Sequence, residues 1–196
     1  MPTAVIELPA KLDPTRKRWT RSEYDQLYSS ARLDGQRLEL IEGELIDKMG
    51  KNRPHGNSLR LLHQWLVGVF GWTVVSHEEP IDVAPEDNPT NEPEPDLSVT
   101  KRDLSSFREN PRPEDLRLVV EVADSSLGLD LTTKAALYAR AGIVEYWVLD
   151  VAGRRLIVHR DPQAGRYRSV VAYGEHESVA PLGAPKSFLR VGDVFV

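Results

Sequence analysis

One stretch, LRLVVEVADSS at residues 116–126, constrains the fold of this chain more than any other. Successive side chains of a strand point to opposite faces, and here both faces are apolar. That pattern is typical of a central strand in a sheet that is covered on both sides. Glu121 interrupts the apolar run, and a buried carboxylate is costly to desolvate. We therefore expect Glu121 to have a salt-bridge partner, a register that points it outward, or a chemical function.

The segments around this strand predict a mixed sheet flanked by helices, of the α/β or α+β class. Between Glu121 and Trp147 we expect one helical crossover, right-handed and joining parallel strands. Its helix, LTTKAALYARAG, is capped by Thr132 or Asp130 and ends at Gly142. The remaining predictions are a helix from a Thr20–Glu23 capping box to Ala31, a hairpin at 37–48 with its turn at Glu42-Gly43, a helix at 55–70, one or two strands in 72–85, strands at 95–100 and 144–151, a hairpin at 154–173 with its turn at Asp161–Gly165, and a further strand in 186–196.

The length of 196 residues suits one domain with a sizeable core. Three prolines predict that residues 1–18 form a flexible arm before a single domain at 19–196. The absence of cysteine excludes disulfides and thiolate metal sites. No apolar run approaches the roughly 18 residues of a membrane span, and the N-terminus lacks the features of a secretory signal. We therefore expect a cytoplasmic protein with no membrane partner.

Charge is distributed unevenly along the chain. The net charge of −5 argues against a generic nucleic-acid coat protein. Residues 61–100 contain eight acids and no Lys or Arg, whereas residues 151–170 contain five arginines and one acid. Such runs are typical of a solvated surface, or of an acidic metal pocket beside a basic rim that contacts phosphates.

Two carboxylates on separate predicted strands suggest a metal site. Asp96 begins one strand and Glu121 lies within another, so neighbouring strands would let them converge on a hard cation. Mg²⁺ is usually held by one or two carboxylates together with water and substrate phosphate. Asp96 also suits a strand-start acid with no ligand role. Lys134 heads an otherwise apolar helix face with Leu137 and Tyr138, which points it toward the sheet, unless it snorkels past Tyr138 to solvent.

These residues belong to a set of motifs that resembles a known family. ELIEGEL, EPDLSV, LVVEVADSS, TTKAALYARAGIVEYWVLD and a final DVF resemble the Uma-type family of restriction-endonuclease-like proteins, long carried as a domain of unknown function. That family is similar to the PD-(D/E)XK nuclease superfamily. The resemblance covers the chain from about Trp19 onward. It implies a restriction-endonuclease-like mixed β-sheet core flanked by helices, with added N-terminal and C-terminal β-hairpins.

The resemblance also implies a reaction, the hydrolysis of phosphodiester bonds in DNA with Mg²⁺ or Mn²⁺. It makes Asp96 and Glu121 the metal-binding acids, with the Val122 carbonyl as a further ligand. Ala123 departs from the superfamily pattern, which has a lysine there, and Lys134 matches the family's own helix lysine. Lys134 would orient the water or stabilise the developing charge. Glu44, after the hairpin turn, is the candidate for an additional catalytic acid, or a solvent-exposed acid of the hairpin.

The remaining interpretations concern substrate and partner. His55, at the start of a helix, contacts substrate or caps that helix. Arg154 and Arg155 are candidates for contact with DNA, or with a second subunit of a homodimer. The alternative function is a non-catalytic nucleic-acid-binding or regulatory protein that keeps the nuclease fold, as Ala123 and the acidic net charge suggest. Ser125 and Ser126 cap a turn or donate to Glu121, and the aromatic residues Trp72, Tyr146 and Trp147 are expected in the core.

Overall fold

The computed structural model of the chain describes residues 17–30, 35–48 and 52–196. Most of the predicted arm at 1–18, and the predicted helix end at Ala31, lie outside these residues. That residues 19–196 form one domain stays a prediction. The strands are, in chain order, β1 (Leu38–Ile41), β2 (Glu44–Asp47), β3 (Val75–His77), β4 (Leu97–Thr100), β5 (Leu116–Ala123), β6 (Glu145–Asp150), β7 (Arg155–Gln163), β8 (Arg166–Gly174), β9 (Ser178–Val179) and β10 (Leu189–Arg190). The α-helices are α1 (Arg21–Ser29), α2 (Arg53–Phe70), α3 (Leu127–Leu129) and α4 (Ala135–Arg140).

A six-stranded mixed sheet in the order β3-β4-β5-β6-β7-β8 forms the centre of the fold. β5 and β6 run parallel, with Glu121 opposite Val148, and the other neighbouring strands run antiparallel. This confirms the predicted mixed sheet and its parallel crossover. β4 lies beside β5, with Leu97 opposite Val120. The residue before β4, Asp96, therefore comes to the C-terminal end of β5.

The alternating faces of β5 pack against two different layers. Leu118, Val120 and Val122 face the α2 side, where Leu62 and Leu66 are fully buried. Val119 and Ala123 face the α4 side, with Leu137 and Tyr138. Burying a leucine side chain of this kind stabilises a fold by about 1.5 to 3 kcal/mol. Coverage on both faces is the reason that β5 has no polar alternation, and it leaves Glu121 surrounded by protein.

The β1–β2 hairpin packs beside this core and is fixed by its turn. Glu42 and Gly43 both have positive φ, 49° and 75°, as a two-residue hairpin turn of type I′ requires. A Cβ atom at Gly43 would lie 2.8 Å from the Arg18 Cβ, so only glycine fits this approach. The predicted capping box of Thr20 and Glu23 starts α1, and the Tyr24 hydroxyl donates to the Leu38 carbonyl over 2.8 Å. The hairpin is therefore held in place from its turn and from α1.

Four details differ from the sequence predictions. The crossover helix begins at Leu127, ahead of the predicted caps, and its Asp130–Lys134 segment is π-helical. The β7–β8 turn is shorter than predicted, since Gln163 pairs with Arg166 across Ala164-Gly165. Trp72 was expected in the core but lies in a 3₁₀ turn with 76% of its surface exposed. In the tail only Leu189–Arg190 forms a strand, which pairs with β9 and not with the main sheet.

No helix in the described ranges is both long enough and apolar enough to cross a bilayer.

Candidate active site

Asp96 and Glu121 meet at one end of the central sheet, where β4 begins and β5 nears its end. Both carboxylates are buried, with 6% and 3% of their surface exposed. The Asp96 backbone N–H lies 3.4 Å from Glu121 Oε2, and Asp96 Oδ2 accepts a 2.8 Å hydrogen bond from the Val122 N–H. The two acids that the sequence singled out are therefore neighbours with fixed orientations.

Lys134 reaches the same cluster from the π-helical turn. Its Nζ lies 2.9 Å from Glu121 Oε1, 2.7 Å from Glu39 Oε1 and 3.9 Å from Asp130 Oδ1. Only 2% of the residue is exposed, so it does not snorkel to solvent. Ala123 is fully buried in the apolar layer beneath. The ammonium thus comes to Glu121 from the helix, although no lysine stands two residues after it in the strand.

Glu39, which the sequence analysis did not single out, is the acid that the β1–β2 hairpin brings into the cluster. It is 2% exposed, and its Oε2 accepts from the Glu94 N–H at 3.2 Å. Glu44 instead lies exposed on β2 and does not line the cavity described below. The structure therefore does not bring the predicted additional acid to Asp96 and Glu121. The one signal for Glu39 was a carboxylate inside a short apolar strand, the same signal that identified Glu121.

Asp130 forms the far side of the cluster. It is 1% exposed, and its Oδ2 accepts a 2.6 Å hydrogen bond from the Ser126 hydroxyl. Ser126 was expected to cap a turn or to donate to Glu121, and it donates to Asp130 instead. The Tyr146 hydroxyl donates to the Asp130 backbone carbonyl over 3.1 Å. This bond ties the π-helical turn that carries Lys134 to the central sheet. π-helical turns are frequently found at functional sites.

The cluster holds more buried negative charge than positive charge. Burial raises the pKa of Glu121 to about 8, against the lowering effect of Lys134, and the nearby Asp130, Asp96 and Glu39 raise it further. Burial likewise raises the pKa of Asp130 to about 6. Burial alone would lower the pKa of Lys134, but the surrounding carboxylates raise it above its ordinary value. Lys134 therefore stays charged, and Glu121 and Asp130 are the acids whose protonated forms burial favours.

The donor set suits a hard divalent cation bound through two carboxylates. The four buried acids offer carboxylate oxygens, and the single ammonium of Lys134 cannot neutralise all of them. These acids are Glu39, Asp96, Glu121 and Asp130. Within the described ranges, no group of three His, Asp or Glu side chains is arranged as a ready cage for a metal ion. Two carboxylates supplemented by water and substrate phosphate is the usual protein environment of Mg²⁺. Asp96 and Glu121 fit that environment.

A cavity of about 340 Å³ opens onto these acids. Val122 lines it beside Asp96, and so does His55, whose Nε2 lies 3.8 Å from Asp96 Oδ2. His55 does not cap α2, because the Asn52 side chain accepts from the His55 N–H at 3.0 Å. The cavity lining also includes two cationic residues of the hairpin region, Arg37 and Lys48. Two exposed acids, Asp47 and Asp124, line the cavity as well, so side chains of both charges surround the buried acids.

Arg154 and Arg155 lie at the same end of the sheet but outside the cavity lining. Arg154 pairs with Glu175, and Arg155 donates to Asp150 over 2.8 Å. Asp150 pairs in register with Ala123 of β5, which locates this end of β7 two strands from the acids. Neighbouring strands are about 4.8 Å apart, so the two arginines begin roughly 10 Å from Glu121.

The acidic segment at 61–100 does not form the pocket as a whole. Most of its acids pair with cations from other parts of the chain, including Arg21 with Asp82 and Glu92 at 2.8 Å each. Arg140 pairs with Asp87 at 2.8 Å. Asp96 is the acid of this segment that lines the cavity. The run is therefore mainly an ion-paired surface, with its last acid in the site.

Comparison with known proteins identifies the family and the fold. A family model described as "Uma2: Putative restriction endonuclease" matches residues 21–191. The chain belongs to the Uma2 family. No curated protein matches it. Among solved structures, one described as "a putative nuclease belonging to DUF820" from Anabaena variabilis ATCC 29413 superimposes with a TM-score of 0.64, at 18% identity, over 82% of this chain and 90% of that one. At that identity the similarity establishes the shared fold, and the family match supports a nuclease function in general.

Proposed function

We propose that this Uma2-family protein is a divalent-metal-dependent endonuclease that hydrolyses phosphodiester bonds in DNA. The observation that carries the proposal is the buried Asp96–Glu121 pair, with the Lys134 ammonium 2.9 Å from Glu121, at the floor of an open cavity. The buried acids suit a metal ion, and Arg37 and Lys48 in the same lining suit a phosphate. Membership of a nuclease family supports the same reaction class.

The residues of the site would divide the work as follows. Asp96 and Glu121 would hold Mg²⁺ or Mn²⁺, with the Val122 carbonyl as a further ligand. A cation bound there would neutralise charge on the scissile phosphate and lower the pKa of a water molecule. The Asp96 carboxylate is preorganised by the Val122 N–H. Lys134 donates to Glu39 and Glu121, and its third N–H, with Asp130 Oδ1 3.9 Å from Nζ, would donate to the attacking water or a phosphate oxygen.

The substrate path would follow the cationic residues in and near the cavity lining. His55, Arg37 and Lys48 line the cavity with the acids, and Arg154 and Arg155 lie at the same end of the sheet, two strands from β5. The Arg37–Glu78 and Arg154–Glu175 pairs are exposed or half-buried and contribute little stability, whereas Arg155 pairs with Asp150, whose side chain is only 3% exposed. A phosphate group can therefore replace the carboxylate partners of Arg37 and Arg154 at low cost.

A plasmid-cleavage assay tests the reaction. Purified wild-type protein with Mg²⁺ or Mn²⁺ is expected to cut plasmid DNA, and Asp96→Asn and Glu121→Gln are each expected to lose at least about 100-fold in rate, as the removal of one preorganised group typically costs. Asp25→Asn removes an exposed acid of α1 and serves as the matched control. If the wild-type protein binds DNA without cutting it under any metal, the non-catalytic binding function is the correct one.

We also propose that the protein acts as a homodimer. β8 is a nine-residue strand at the edge of the sheet, and Val170 and Val171 are 53% and 44% exposed along it. Open edges of this length readily pair with another strand. Light scattering is expected to return twice the 22.0 kDa of one chain. A monomer mass at assay concentration would exclude the dimer without affecting the proposed chemistry.

A further inference from the structure

Glu121 presents its two carboxylate oxygens to two different surroundings. Oε1 accepts from the Tyr138 hydroxyl at 3.0 Å and from Lys134 Nζ at 2.9 Å. Oε2 lies toward Asp96, 3.4 Å from its backbone N–H. One oxygen is therefore occupied by two donors from the crossover helix, and the other faces the second acid of the site.

We propose that Tyr138 is a positioning residue that fixes which oxygen of Glu121 is available to the metal ion. This inference rests on the proposed function, because it concerns the same metal site. An ionised carboxylate offers two lone pairs on each oxygen, and Tyr138 and Lys134 use those of Oε1. Oε2 is left as the oxygen directed toward Asp96 and a shared cation.

The hydroxyl of Tyr138 is needed for this role in a way that its ring is not. The terminal carboxylate torsion of a glutamate is broad and roughly two-fold, so a single donor such as Lys134 does not by itself fix the plane of the carboxylate. Lys134 and Tyr138 are four residues apart and lie on the same side of the crossover helix. Together they hold Oε1 from two directions.

The ring of Tyr138 is held by packing that does not involve Glu121. Tyr138 is fully buried, and its ring lies edge-on to Tyr146 with centroids 4.9 Å apart. Tyr146 in turn bonds the Asp130 carbonyl at 3.1 Å. The packed rings of Tyr138 and Tyr146 therefore hold the Tyr138 hydroxyl in place beside Glu121. Residues that hydrogen-bond to metal-binding side chains commonly orient them in this way.

The same stack supplies a matched control. Tyr167 is buried and lies 6.3 Å from Tyr146, and its hydroxyl donates to the Ile143 carbonyl over 2.8 Å. Tyr167→Phe therefore removes one buried hydroxyl and one hydrogen bond from the stack without touching the acids. Tyr138→Phe removes the same chemical group and also the contact with Glu121.

The test measures Mn²⁺ binding without DNA, by electron paramagnetic resonance of the free ion. Tyr138→Phe is expected to weaken Mn²⁺ binding by about 10- to 100-fold, the usual effect of losing an outer partner of a metal ligand. Tyr167→Phe is expected to bind Mn²⁺ as the wild-type protein does. The melting temperatures of the two variants are expected to fall by similar amounts, so that lost stability cannot account for the difference in binding.

A second readout separates positioning from a general structural role. Cleavage by Tyr138→Phe at limiting Mn²⁺ is expected to recover as the Mn²⁺ concentration rises, whereas a damaged fold would not recover. Equal Mn²⁺ affinity in Tyr138→Phe and wild-type protein would overturn the inference and leave the proposed function standing. Absence of Mn²⁺ binding by the wild-type protein would overturn the proposed function, and the inference with it.

Discussion

At the scale of single residues, Lys134 is the charge on which the acid cluster depends. It lies within 2.9 Å of both Glu39 and Glu121. Removing one partner of a buried charge cluster leaves carboxylates without compensation, which typically costs about 3 to 5 kcal/mol. Lys134→Met is expected to lower the free energy of unfolding by that amount in a urea titration. Lys186→Met, at an exposed position, is expected to change it by less than about 0.5 kcal/mol. A change of that small size for Lys134→Met would contradict the ion-pair account.

Glu121 gives the metal-free protein an unusual dependence of stability on pH. Burial raises its pKa from 4.5 to about 8, so the folded state holds its proton more tightly than the unfolded chain does. The stability from this group is present below about pH 4.5 and is lost as the pH rises toward 8. In EDTA, Glu121→Gln is expected to lack this loss, and the difference in unfolding free energy between the variant and wild type is expected to grow with pH across this window. If the difference in unfolding free energy between Glu121→Gln and wild type stayed constant with pH, the raised pKa of Glu121 would be contradicted.

The sequence located part of this cluster for a physical reason. A carboxylate inside an apolar strand identified Glu121, and Asp96 followed from its position at the start of a neighbouring strand. Glu39 was missed because its strand is short, and because its partner Lys134 lies 95 residues further along the chain (134 minus 39). Contacts over such distances depend on packing and not on local pattern. Trp72 was misassigned for a related reason, since apolar composition alone does not determine exposure.

At the scale of elements, the β1–β2 hairpin and the crossover helix carry the cluster. The hairpin was predicted with its turn because Glu42-Gly43 has a local signature. The π-helical turn at Asp130–Lys134 was not predicted, since the Asp130 carbonyl accepts from Tyr146 of β6, a tertiary contact that local pattern does not reveal.

Substitution of Gly43 tests whether the close approach at its turn holds the β1–β2 hairpin in place. Gly43→Ala forces a Cβ to within 2.8 Å of the Arg18 Cβ at a φ of 75°. Gly35→Ala carries a similar φ of 80° with nothing within 4 Å, so it isolates the backbone strain. Alanine at either glycine is expected to cost about 1 kcal/mol for its positive φ, and Gly43→Ala is expected to cost at least 1 kcal/mol more for the close contact. If chemical denaturation showed that both variants lose the same unfolding free energy, the contact between the new Cβ at residue 43 and Arg18 would cost nothing, which would contradict the prediction.

At the scale of the whole molecule, the proposed function requires an acidic protein to bind DNA through local cationic residues. The net charge is −5, so binding is expected to depend strongly on salt. Each phosphate contact contributes about 0.9 to the slope of log affinity against log salt concentration. Arg154→Ala with Arg155→Ala is therefore expected to reduce that slope by about 2, with little change in sequence preference. An unchanged slope would remove these arginines from the DNA path.

The central claim is that Asp96 and Glu121 hold the metal ion of a nuclease. Anomalous diffraction from a crystal soaked in Mn²⁺ tests it most directly, because the ion is located without reference to activity. We predict a peak between the two carboxylates, within coordination distance of Glu121 Oε2. A peak elsewhere, or none at saturating Mn²⁺, would contradict the account.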